Sequence, residues 1–183
     1  MCLEMRLAGF SALLAVSACN MTDATSPVGT YNLPSYDYTN GSYQLVTGTN
    51  WDNMEISSSR IIGPNGGQLT LGLHELVIPE GAVTKPTVFR MSKKMGPHIL
   101  VDLEARDQKS GQEIDAFAQS VELRLSYKFV PLTGAELNRM AILWLRQGSE
   151  TGELVPVPTH IDRKHKQLIG SLTHFSRYAM GMN

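Results

Sequence analysis

From Arg60 to the end of the chain, apolar residues recur at every second position in short runs separated by turn residues, and a period of two is the signature of β-strands. In "HILVDLEAR" the residues Ile99, Val101, Leu103 and Ala105 share one face. In "SVELRLSYK" Val121, Leu123, Leu125 and Tyr127 lie opposite Glu122, Arg124 and Lys128. Each reads as a strand with one buried and one wet face. "GQLTL", "ELVIP", "TVFRMS", "AILWLRQ", "ELVPVP" and "QLIGSL" continue the series, with polar stretches such as "RDQKSGQE" and "GSETG" turning the chain between them. About eight to ten short strands at this spacing predict an antiparallel sandwich or barrel. One short helix is expected in "PLTGAELNRM", where Thr133 and Glu136 have the spacing of a capping box.

The other end of the chain has a different character. "MCLEMRLAGFSALLAVSACN" holds an apolar run, Leu7 to Val16, that is too short for a permanent membrane span and is closed by small residues and a cysteine. It reads as an export signal, and a start at Met5 would remove Glu4, the one residue at odds with a basic beginning. Val16-Ser17-Ala18-Cys19 resembles the lipobox of bacterial lipoproteins, in which small side chains fit the signal peptidase cleft and the thiol is the alkylation nucleophile. The resemblance implies cleavage after Ala18, a lipid on Cys19, and membrane attachment through that anchor. An ordinary secretory leader followed by an incidental cysteine is the other reading. The 2 cysteines are Cys2 and Cys19, so removal of residues 1–18 leaves Cys19 with no disulfide partner, which an acylated thiol does not need. Asn20, where an Asp would favour retention, fits outer-membrane sorting; this too is what the resemblance implies.

Residues 19–59 are rich in Ser, Thr, Asn, Gly and Tyr, contain no Lys or Arg, and carry only Asp23, Asp37, Asp52 and Glu55 as charges. Little in them can drive burial, so they read as a flexible acidic tether. Within it "YDYTNGSYQLV" has the Asn-Gly pair of a tight hairpin. Its tyrosines, Tyr36, Tyr38 and Tyr43, suit either a sugar-stacking surface or a hairpin face packed on the domain edge. The expected organisation is a leader at 1–18, a tether at 19–59 and a β-domain at 60–183.

A formal net charge of -1, with both signs scattered through the domain, excludes a polyanion-binding surface, and no nucleic-acid partner is expected. Five histidines (His74, His98, His160, His165 and His174) show no metal-ligand spacing, and no metal or other cofactor is expected. The chain carries no phosphate loop, no Gly-x-Ser-x-Gly elbow and no recognisable carboxylate pair, so nothing points to an enzyme acting on another molecule.

Two stretches are more specific. "GPNGGQLTLGLHELVIPEGAV" brings Gly66 and Gly67 into a strand and ends the next one at Pro79 and Gly81, where glycine permits a tight turn and a close approach of strands. With the Trp-bearing "AILWLRQ", the acidic turn "GSETG" and the closing "LTHFSRYAMG", this resembles the ZU-five domain shared by zonula occludens scaffolds, netrin receptors and ankyrins, over residues 60–181. Leu154 and Val155 stand where that family carries an aromatic. The resemblance implies a protein-interaction β-sandwich, with a protein partner it does not name.

Some ZU-five scaffolds cut themselves between Phe and Ser of a His-Phe-Ser motif, which His174, Phe175 and Ser176 match in order. In that chemistry Ser176 Oγ would attack the Phe175 carbonyl while His174 takes the hydroxyl proton, and water would then hydrolyse the ester; the bond must be strained for this to proceed. The structural reading is that Phe175 and Tyr178 anchor a last strand through a bulge, His174 bonds a carbonyl and Ser176 fills a small space. Taken together the chain is expected to be an envelope lipoprotein carrying an all-β antiparallel sandwich as a binding module.

Overall fold

The computed structural model describes residues 43–48, 56–93, 96–146 and 153–183. They form twelve strands and one short helix: β1 (Gln44–Leu45), β2 (Ile56–Ile62), β3 (Gly67–Leu71), β4 (His74–Ile78), β5 (Thr87–Lys93), β6 (Leu100–Asp107), β7 (Val121–Ser126), α1 (Gly134–Leu137), β8 (Met140–Arg146), β9 (Glu153–Pro156), β10 (Thr159–Asp162), β11 (Gln167–Leu172) and β12 (Arg177–Met182). Every pairing is antiparallel. One sheet runs β2-β5-β6-β12-β8-β9, with β1 beside the end of β12, and the other runs β10-β11-β7-β4-β3. The two pack face to face as an antiparallel β-sandwich, the architecture that the period-two pattern predicts.

The alternating runs supply the core. Ile99, Val101, Leu103 and Ala105 from one sheet meet Val121, Leu123 and Leu125 from the other, all buried. Each large aliphatic side chain so enclosed contributes roughly 2 kcal/mol. Phe89, Phe117 and Phe175 form an aromatic cluster, with Phe117 and Phe175 ring centroids 4.5 Å apart.

Turn chemistry closes the sandwich where the sequence placed it. Gly66 takes φ +72°, and a Cβ there would stand 2.5 Å from the Ile78 carbonyl oxygen, so both the turn and the strand approach need glycine. Thr133 caps α1: its hydroxyl accepts from the Glu136 N–H, while the Glu136 carboxylate accepts from the Thr133 N–H at 2.7 Å.

Two expectations change. The boundary at Arg60 falls inside β2, whose Ile56–Ser59 stretch pairs regularly with Arg90–Lys93, and Gln44–Leu45 pair with β12. Three consecutive serines resemble a spacer, yet a strand at the edge of a sheet exposes most of its side chains and needs no apolar alternation. Second, the last strand is not one bulged strand. The chain leaves one sheet at Leu172 and enters the other at Arg177, so alternation breaks because Thr173–Ser176 cross between layers. The strand β10 joins the series as well, its "THID" being too polar to stand out in sequence. Residues 1–42, and with them Cys19, Tyr36 and Tyr38, lie outside the described residues.

Candidate functional site

The crossing between β11 and β12 carries the His-Phe-Ser motif. Leu172 is held opposite Val121 in one sheet, and Arg177 opposite Asp102 and Leu145 in the other. The intervening residues span the gap between layers, which for stacked sheets is about 10 Å. Phe175 turns inward to the aromatic cluster. The Tyr178 hydroxyl donates to the His174 carbonyl at 2.8 Å, and the Leu103 N–H donates to the Ser176 carbonyl at 3.0 Å. Burial alone pushes the Tyr178 phenol well up, so it stays a neutral donor.

These contacts send the His174 and Phe175 side chains to different neighbours. His174 sets its ring edge-on to Trp144 at 4.5 Å, its Nδ1 lies 3.5 Å from the Thr173 hydroxyl, and its Nε2 is buried with no hydrogen-bond partner. Neither nitrogen bonds Ser176 Oγ. Among the described residues Lys166 is the one non-glycine with positive φ, so the backbone at 174–176 lies outside the left-handed region. The arrangement holds the chain at a layer crossing, with neither His174 nitrogen bonded to Ser176 Oγ.

A second polar feature lies inside the sandwich. His74 opens β4 and Lys93 ends β5, one in each sheet, and both are 1% exposed. His74 Nδ1 accepts the Ser126 N–H at 3.1 Å, which fixes the proton of the neutral ring on Nε2. Burial first and the Lys93 charge second pull the His74 pKa down to about 4. The other histidines do not assemble a ligand set: among the described residues no group of three or more His, Cys, Asp or Glu could hold a metal ion. His165 instead bonds Asp162 across the β10–β11 turn at 2.6 Å.

Two surfaces escaped the sequence reading. β2 ends its sheet with Ile61 52% exposed and, among the described strands, no neighbour on its outer side. Beside it Ser57, Ser59, Val88, Arg90, Glu104 and Arg106 line an open groove of about 450 Å³. On the outer side of β8, β9 and β12, Leu100, Leu143, Leu145, Leu154 and Ala179 form a second buried cluster, against which Tyr43 and Leu45 pack. Its signal was present: β8, "MAILWLR", is apolar at nearly every position rather than every second one, as in strands covered on both faces.

Compared with known proteins, the chain matches no family model and no curated protein at a significant level.

Proposed function

We propose that this protein is an envelope lipoprotein, anchored through a lipid on Cys19, that presents a ZU-five-like β-sandwich as a protein-binding module. The observation that carries the reading is the apolar run ending in Val16-Ser17-Ala18-Cys19, which supplies a cleavage site and a nucleophile in one motif. Several acyl chains on one terminus make such an anchor durable, where a single chain is marginal. Asn20 directs it to the outer membrane on this reading.

The domain's geometry favours binding over catalysis. The His174 ring packs on Trp144, and the exposed edge of β2 is the kind of surface that recruits an extended segment of a partner by strand addition. Small side chains at Ser57 and Ser59 leave room over that edge.

The test is the intact mass of the protein purified from bacterial membranes with its own leader. The expected species begins at a diacylated or triacylated Cys19 and ends at Asn183. An unmodified Cys19, or a species cut elsewhere in the leader, overturns the anchor. A chain ending at Phe175 with a free "SRYAMGMN" peptide overturns the purely structural role of the His174 crossing.

A further inference from the structure

The two ends of the sandwich differ in charge. At one end the β7–β8 connection, residues 127–139, lies beside the β10–β11 turn, residues 162–167. Three bonds tie them together. The Tyr127 N–H donates to the Lys166 carbonyl at 2.9 Å, the Tyr127 hydroxyl donates to the Asp162 carbonyl at 3.3 Å, and the Arg163 guanidinium donates to the Asn138 side chain. Lys128, Arg139, Arg163, Lys164 and Lys166 are all exposed there. The two carboxylates of these segments are engaged locally: Glu136 accepts from the Thr133 N–H, and Asp162 accepts from the His165 N–H. The whole chain holds 16 Lys/Arg and 17 Asp/Glu, so the remainder carries 11 against 15. At the far end, residues 79–86 and 107–120 hold Lys85 and Lys109 against Glu80, Asp107, Glu113 and Asp115. Along the chain the two signs are mixed, which argues against a polyanion-binding surface; the fold lifts that exclusion by bringing two segments of the same sign together.

A large apolar side chain stands among these cations. Phe129 is 46% exposed, with the Lys128 ammonium 5.4 Å from its ring centroid; it and Ile61 are the large hydrophobic side chains exposed among the described residues. A ring flanked by long cationic side chains suits a bilayer interface, where the ring enters among the headgroups and the charged tips reach lipid phosphates.

The path of the chain points the same way. β1 runs antiparallel to β12 with Gln44 opposite Met182, Met182 pairs with Met140, and the Asn183 N–H donates to the Arg139 carbonyl at 3.3 Å. The polypeptide coming from Cys19 therefore joins β1 at the basic end.

We propose that this end of the sandwich docks on an anionic phospholipid bilayer, with Phe129 among the headgroups and the five cations on lipid phosphates. Each Lys or Arg held near such a surface adds to the attraction, and salt screens it. The bilayer's proximity rests on the anchor proposed above, whereas the contact does not depend on it. A single-stranded nucleic acid fits less well, because it stacks successive bases on several aromatic side chains and these two segments expose one ring.

The experiment measures vesicle binding of residues 19–183 with Cys19→Ser, a chain that keeps every described strand and cannot be acylated. Vesicles of phosphatidylcholine alone are compared with equimolar phosphatidylcholine and phosphatidylglycerol by co-sedimentation. The expected result is binding at least about tenfold tighter to the anionic vesicles, weakening as salt rises. Combined Lys128→Glu and Lys164→Glu substitution lowers that binding at least about tenfold and Phe129→Ser about threefold, while Lys109→Glu at the far end leaves it unchanged. Lys128→Gln with Lys164→Gln repeats the reading if the charge reversal alters the far-UV circular dichroism. Equal binding to both vesicles, or an equal loss from Lys109→Glu, overturns the proposal. So does binding to a single-stranded oligonucleotide as tight as to the anionic vesicles, which makes this end a general polyanion site. Because the probe chain carries no lipid, its failure to bind leaves the anchor standing, and an unmodified Cys19 in the intact mass leaves this contact standing.

Discussion

Burial of His74 makes the stability of this protein depend on pH between about 4 and 6.5. The folded pKa lies near 4, below the ordinary 6.5, because burial and the Lys93 charge disfavour the cation. Between those values the unfolded chain takes up a proton that the folded chain refuses. Stability is therefore full above about pH 6.5, falls as pH drops through the window, and levels off below about 4. The slope is at most about 1.4 kcal/mol per pH unit and half of that at pH 6.5, so the loss between pH 6.5 and 5 is about 1.5 kcal/mol. Geometry adds a reason: a second ring proton would have to sit on Nδ1, which already accepts the Ser126 N–H. Urea denaturation from pH 7.5 to 5 on the native chain and on His74→Asn is the assay, since the Asn side-chain oxygen can still accept from Ser126 while carrying no titrating group. The variant should be less stable at pH 7.5 and lose the slope in the difference between the two curves. Parallel curves across that range would refute the reasoning.

Two further substitutions probe the turns and the layer crossing. Gly66→Ala meets backbone at 2.5 Å and a φ of +72° together, so it should lower stability by about 2–4 kcal/mol, measured by thermal or urea unfolding. Tyr178→Phe removes the bond to the His174 carbonyl and should cost about 1 kcal/mol, whereas Ser176→Ala should change stability by less than that and leave the intact mass otherwise unaltered.

Much of this fold could be read from residue order because a strand's environment is printed in its alternation. The faces of β6 and β7, the capping box of α1 and the glycine turn into β3 all followed from local spacing. The proposed lipid anchor rests on sequence alone, since signal peptidases recognise a linear motif. Tertiary structure decided what local patterns cannot carry. The serine run of β2 became a strand because β5 offers it a partner, and pairing is a property of two segments. His174 and Phe175 lie next to one another in sequence, but the step from one sheet to the other sends one side chain to Trp144 and the other to the phenylalanine cluster. The same holds for the outer patch: the apolar run in β8 signals two covered faces, while only the sheet order gathers Leu143, Leu154 and Ala179 into one surface, because neighbours across a sheet are set by topology and not by distance along the chain.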